Sequence, residues 1–350
     1  MSMLVSVLIF LLIFGVIVTA HELGHFAIAR RNGIRVRAFD LGMGPTFLHR
    51  KFGETDFCLK AFPIGGACIF DGMPGEESAS DAHSFAGASV WARIATVLAG
   101  PAANFLIGFV LAVIIAAFSG TDRPVVGSVM EGSAAEAAGI EAGDVITRIN
   151  GRAIHLYREV RLESMMNYGE TMDIRLLRDG EVLTVTLTPR YDETDGRYYI
   201  GIIGSGEYTE CRGFDVFRCG YYECEYWFRA TWQSIGLIFR GHFSSKDLSG
   251  PVGVVKAVDD TYQATRPYGI PTMILSFMNL TLLLTINLGI MNLLPIPALD
   301  GGRLLIYLVE AIRRKPLSAE KEGLVTMAGA IALAALMVFV LFQDITRFFE

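Results

Sequence analysis

Four stretches of this sequence run without a charged side chain for about the length that crosses a lipid bilayer. They are 3–20, which ends at His21, then 94–121, 267–299 and 324–343. A hydrocarbon core about 30 Å thick needs roughly 20 apolar residues in a helix, so each stretch can form one crossing. Composition agrees: 52% of the 350 residues are hydrophobic and only 19% are charged, against about a quarter in soluble domains. That balance excludes a disordered or low-complexity chain, and a net charge of −6 excludes a nucleic-acid binder. The first stretch lacks the basic leader and small-x-small site of a cleaved signal peptide, so it is expected to stay as a span.

Arginine and lysine near the span ends set an expected orientation. Arg30, Arg31, Arg35, Arg37, Arg50, Lys51 and Lys60 lie between the first two spans, and Arg303, Arg313, Arg314 and Lys315 between the last two. Both loops are therefore expected in the cytoplasm, with the long segment between spans two and three outside. Cys58 and Cys68 then fall inside, while Cys211, Cys219 and Cys224 fall where one disulfide could form.

The outer segment turns globular at Pro124. Short strands are expected at 125–130, 144–150, 172–177 and 182–187, with turns at Asn150-Gly151 and Asp179-Gly180 and a helix over 155–168. The run GSAAEAAGIEAGDVITRINGRAI, Gly132 to Ile154, resembles a bacterial PDZ domain of the permuted kind. That resemblance implies either capture of a peptide or chain end as an added strand, or a module that only filters by size. Aromatic residues crowd 214–240, as expected of an amphipathic helix at the headgroup level or packed on the module.

Chemistry concentrates at the inner end of the first span. His21-Glu22-Leu23-Gly24-His25 places two imidazoles at i and i+4, on one helical face, where both reach a single metal ion. Two neutral imidazoles plus a carboxylate suit Zn2+, one per chain, with a position left open for the attacking water and Glu22 beside it as general base. The third ligand is open at this stage. Asp300 is on the same side, though an Asp before Gly301-Gly302 could equally cap a helix, and His83 is in reserve; His49, His155 and His242 complete the set. Pro295 and Pro297 interrupt the third apolar stretch, which calls for a wet cavity there. Asn292, just before the break, could satisfy loose backbone groups or hold a substrate strand or oxyanion. The segment FCLKAFPIGGACIF, 57–70, reads as two short strands around Pro63 to Gly66, a membrane-associated β-hairpin whose glycines would let another backbone approach.

Taken together, HELGH, KAFPIGG with GACIFDGM, LAGPAANF (98–105), LSGPVG (248–253) and NLLPIPALDGG (292–302) resemble the site-2 protease family, most nearly the bacterial regulators of sigma-E protease type. The likeness covers nearly the whole chain, with a single PDZ-like module where the best-known Gram-negative members have two. It implies zinc ligands His21, His25 and Asp300, catalytic Glu22, and substrate-binding Asn292, Gly65, Gly66 and Ala67.

The expected fold is an α-helical membrane protein with four transmembrane helices, the membrane-associated β-hairpin and an inserted small α+β PDZ-like domain. Membrane half one is 1–121, with spans near 3–29 and 93–119 and the hairpin near 56–71. The PDZ-like domain is 122–190, and a post-PDZ region with its helix near 214–240 is 191–266. Membrane half two is 267–350, with spans near 271–295 and 323–343 and the Asp300 loop and helix at 298–314. The expected function is a zinc metalloendopeptidase of the bacterial cell membrane that cleaves transmembrane segments of single-span proteins, such as anti-sigma-factor-like substrates or signal-peptide remnants. Partners are those substrates, a peptide or chain end at the PDZ-like domain, and the lipid bilayer. The alternative, a non-proteolytic scaffold that binds peptides, gives no reason to keep both HELGH and LDGG. A metal transporter would need more intramembrane ligands than the chain offers.

Overall fold

A computed structural model of the chain describes residues 3–73, 81, 83–193, 196–239, 250–315 and 317–349. His242, Arg240 and the first two residues of the 248–253 motif lie outside them. Contacts divide the chain into two units, 1–108 with 240–350, and 109–239.

The first unit opens with α1, Met3–Arg31, one of four helices long and apolar enough to cross a membrane. Next come β1, Val36–Phe52, and β2, Thr55–Phe70, which pair antiparallel. The second long helix, α2, runs Val90–Ser119 and keeps its course through Pro101.

The β1–β2 hairpin turns at Gly53-Glu54, so the expectation of a hairpin folding about Pro63–Gly66 is corrected: 56–71 is one arm of a larger hairpin. Asp40 pairs with both Ala67 and Cys58, so the first part of β1 lies between the two ends of β2. Gly53, at a φ of 63°, supplies the tight turn, whereas Gly65, at 80°, lets β2 fold across β1. Residues 66–70 are left at an edge of this sheet.

The second unit begins within α2, at Phe109. In chain order it contains β3 (Thr121–Asp122), β4 (Val126–Val129), α3 (Ala134–Ala137), β5 (Val145–Ile149), β6 (Arg152–Ala153), α4 (Tyr157–Met166), β7 (Met172–Arg178) and β8 (Glu181–Leu187). Then come β9 (Arg190–Asp192), β10 (Arg197–Tyr199), β11 (Ile202–Gly204), β12 (Tyr208–Thr209) and α5 (Asp215–Phe239). The main sheet has the order β6-β5-β7-β8, and β4 pairs with β11. Along β7, Met172, Ile174 and Leu176 are buried while Asp173 and Arg175 face out, the period-two pattern of a half-buried strand. These side chains join Ile146, Ile149, Val160 and Ile200 in one core. Positive φ at Asn150 and Gly151 (48° and 79°), and at Asp179 and Gly180 (50° and 85°), makes tight hairpin turns at both sites. Cys211 and Cys219 form a disulfide at the start of α5, and Cys224 is free.

The chain re-enters the first unit with α6, Pro251–Thr265, a helix the periodicity reading did not anticipate, although Pro251 at its first position is a start signal. Two further span-length helices are α7 (Ile270–Asn292) and α9 (Ala319–Phe349), separated by α8 (Asp300–Arg313). On α9, Ile331, Met337 and Phe342 are each more than half exposed, a surface suited to lipid and not to water.

Candidate active site

Three helices of the first unit bring the site together. On α1, His21 and His25 are one turn apart and each only 7% exposed. His25 Nδ1 lies 2.8 Å from the Thr96 carbonyl of α2. A carbonyl only accepts, so Nδ1 carries the proton and the lone pair of Nε2 points inward. Inward, His25 Nε2 is 3.2 Å from His21 Nε2. Asp300 completes the triangle, its Oδ2 at 3.1 Å from His21 Nε2 and 3.3 Å from His25 Nε2.

Asp300 reaches this point because α7 cannot continue. Pro295 and Pro297 follow its last turn, Ala298 takes a φ of 79°, and α8 starts at Asp300. The cap of α8 is Leu299, with no side-chain cap bond, which leaves the Asp300 carboxylate free of the capping role that the sequence allowed.

The donor set fits a small divalent cation. Asp300 Oδ2 is buried and faces two ring nitrogens. Tetrahedral ligands held about 2.0–2.1 Å from zinc stand about 3.3–3.4 Å apart, close to the observed spacings. Two imidazoles and one carboxylate oxygen are also the ligand types zinc prefers.

Glu22 is 8% exposed and lies against the edge of the β1–β2 sheet. A Cβ at Gly66 would stand 3.0 Å from Glu22 Cγ and 2.9 Å from Val18 Cγ1, so only a residue without a side chain lets this strand lie so close. Gly66 and Ala67 pair inward with Leu41 and Asp40, and Gly65 packs on Met43. Asn292, the last residue of α7, points its amide at the cluster, with Nδ2 3.4 Å from His21 Nε2.

The other histidines among the described residues stand elsewhere. His83 Nδ1 faces the Gly33 carbonyl at 3.1 Å on an exposed surface, so the reserve ligand is not part of the triangle. His49 pairs with Asp56, also exposed, and His155 stacks on Tyr222 with ring centroids 3.8 Å apart. Three residues of α2 were given no role by the sequence reading, although Gly100 and Asn104 belong to the LAGPAANF motif: Thr96, Gly100 and Asn104. Their signal was the four-residue spacing within an apolar helix, a stripe of polar or absent side chains.

The sequence profile of Peptidase family M50 matches residues 9–336. The chain belongs to this family of peptidases. The M50 chain is 31% identical over 423 aligned residues to the zinc metalloprotease RasP of Geobacillus kaustophilus, covering 98% of each. It is 29% identical over 425 residues to the regulator of sigma-W protease RasP of Bacillus subtilis, covering 98% of this chain and 99% of that one. The PDZ domain of an SdrC-like protein from Listeria monocytogenes overlaps 25% of the M50 chain and 88% of its own, at 24% identity and a TM-score of 0.21, too slight a likeness to assign the fold of the second unit. As an M50 peptidase the protein is a hydrolase acting as a metalloprotease.

Proposed function

We propose that this peptidase is a zinc-dependent intramembrane endopeptidase that cuts transmembrane segments of single-span membrane proteins. The observation that carries the reading is the convergence of His21 and His25, buried on a helix long enough to span a membrane, with Asp300 at the start of α8. These three residues hold the zinc ion. When bound, zinc polarises the scissile carbonyl and lowers the pKa of water toward neutrality.

The protein side of the mechanism follows from placement. Glu22 accepts a proton from the attacking water as a C–O bond forms, then delivers it to the leaving nitrogen as the C–N bond breaks. The Asn292 amide donates to the oxyanion that develops on the carbonyl. A helical substrate hides its carbonyls in its own hydrogen bonds, so it must be extended before attack. The edge at Gly65, Gly66 and Ala67 takes up the unwound segment as an added strand and presents it beside Glu22. Phe47 and Phe52 on β1 are 81% and 73% exposed, which suits insertion of this hairpin into the membrane surface.

Basic residues flank the inner loops, so the site opens toward the cytoplasmic side of a bacterial cell membrane and the β-rich unit lies outside. That unit is the PDZ-like module. A groove of about 250 Å³ between α4 and the segment 199–202 that joins β10 to β11, lined by Val160, Met165, Arg161 and Arg197, suits an apolar chain end with its carboxylate between the two arginines. Substrates are therefore single-span proteins already trimmed outside, anti-sigma-factor-like proteins or signal-peptide remnants among them.

The test is cleavage of a single-span reporter by the full chain in lipid vesicles, with the zinc content of the same sample measured. Glu22→Gln is expected to abolish cleavage and keep near-normal zinc. Peptide binding at the groove with no cleavage by the zinc-loaded wild type would favour the scaffold reading instead.

A further inference from the structure

The two histidines do not hold their orientation alone; α2 meets both. Thr96, Gly100 and Asn104 recur every fourth residue and so form one stripe over two turns of that helix. The Thr96 carbonyl takes the Nδ1 proton of His25. Gly100 leaves room for the rings: a Cβ there would stand 2.4 Å from His25 Nε2 and 2.8 Å from His21 Cε1. Asn104 faces His21, with its amide nitrogen 3.2 Å from His21 Nδ1.

Asn104 is fully buried, yet its amide oxygen has no hydrogen-bond partner. Its backbone is pinned from α7, since Thr285 Oγ1 donates to the Asn104 carbonyl at 3.2 Å. The side chain is thus a fixed platform with one idle acceptor beside an imidazole. An amide can serve either tautomer of that ring, because its two ends are nearly the same size and differ only in donating or accepting. With the nitrogen toward Nδ1, the proton of a neutral His21 sits on Nε2, aimed at Asp300 and His25. A ligand to a cation needs a bare Nε2, which moves the proton to Nδ1; the amide then turns its oxygen to accept it.

We infer that Asn104 is a positioning residue for His21, whose amide oxygen holds the ring and its Nδ1 proton in the arrangement that ligates zinc. The inference rests on the reading that His21 is a zinc ligand. It gives α2 a symmetric task, one acceptor for each histidine, and it explains why a polar residue is kept with 0% exposure in a span-length helix.

The experiment measures zinc affinity by chelator competition on the purified full chain, beside thermal unfolding of the metal-stripped protein. Asn104→Leu keeps the volume and removes the acceptor, and is expected to weaken zinc binding about 10- to 100-fold with the stripped protein unfolding as wild type does. Asn104→Asp keeps an oxygen and is expected within about threefold of wild type, the range left to small shifts in ring placement once the acceptor is retained. If the Leu variant does not fold, Asn104→Ala is measured in its place with the same expectation. Wild-type affinity in the variant without an acceptor, or equal losses in the Asp and Leu variants, would overturn the inference. His21→Ala separates the two readings: if it still binds zinc as wild type does, the ligand assignment has failed, whereas zinc lost there and unmoved in Asn104→Leu defeats only the role given to Asn104.

Discussion

The Asp300 carboxylate oxygen stands 3.1 Å from His21 Nε2 and 3.3 Å from His25 Nε2. A buried carboxylate oxygen turned toward two ring nitrogens is costly unless a cation sits among them, so the triangle makes sense as a metal site rather than as a polar cluster for its own sake. Asp300→Asn removes the charge and most of the ligand strength while keeping the shape. Zinc content of the purified protein is expected to fall by an order of magnitude or more, whereas His83→Ala, at the Gly33 surface, is expected to leave it unchanged. Metal analysis of the two variants side by side decides this, and zinc lost only in the His83 variant would transfer the third-ligand role.

Gly100 predicts a sharper failure. Adding one methyl places it 2.4 Å from His25 Nε2, so the rings must move by several tenths of an ångström or the helices must part. Gly100→Ala is expected to cut reporter cleavage roughly 100-fold, the usual cost of misplacing a reacting group by about an ångström. Gly15→Ala is the matched control, since a Cβ there meets nothing within 4 Å. Equal turnover in the two variants would show that the α2 stripe does not shape the site.

The sequence made some of this legible and hid the rest for physical reasons. His21 and His25 stand together because a local spacing of four is enough to bring them to one face of a helix, and Glu22 is carried beside them as the next residue. Asp300 and Asn292 could be suspected from chemistry, from the two prolines and from the family resemblance, since nothing local records which distant helix lies opposite. Asn104 was invisible as a partner of His21 for the same reason: its signal is a contact across the chain, not a pattern along it. The β1–β2 hairpin was misjudged because β2 is bent at Gly65 and its apolar halves look like two strands turning on each other. Their true partner, β1, precedes them with a turn at Gly53-Glu54. In the second unit, Asn150-Gly151 and Asp179-Gly180 were readable since a tight hairpin turn needs those residue types.

Arg93 and Glu310 form a bidentate pair at 2.6 and 3.2 Å, 11% and 9% exposed, with the guanidinium 4.9 Å above the Tyr307 ring and Tyr307 Oη donating to Glu322 at 3.0 Å. Such a pair contributes little over apolar packing, yet breaking it strands a buried charge. Arg93→Met is expected to destabilise the first unit by about 3–5 kcal/mol, and Arg93→Met with Glu310→Leu to recover most of that loss. Unfolding of the purified variants in mixed detergent measures both; additive losses in the double variant would show that the pair is not coupled.

Glu223 on α5 predicts a pH dependence for the second unit. It is 2% exposed, and Arg158 reaches it at 3.0 Å while also holding Asp122 at 2.7 Å. Burial pushes the Glu223 carboxyl up to about 7, with Asp122 and Glu159 adding to the rise and Arg158 opposing it. The folded state therefore keeps a proton that the unfolded chain gives up near its ordinary value of 4.5. Stability from this group is full below about pH 4.5, declines as pH rises toward 7, and is flat above that. The slope within the window is at most about 1.4 kcal/mol per pH unit, because one proton is at stake. Glu223→Gln removes the titration. Unfolding midpoints followed by the fluorescence of Trp227 and Trp232 on α5, with Trp91 replaced by Phe in both proteins, between pH 5 and 8 are expected to fall more steeply in wild type than in the variant up to pH 7, and in parallel above it. Parallel curves across the whole range would mean that Arg158 keeps Glu223 ionised throughout and that burial is not the dominant influence on this carboxyl.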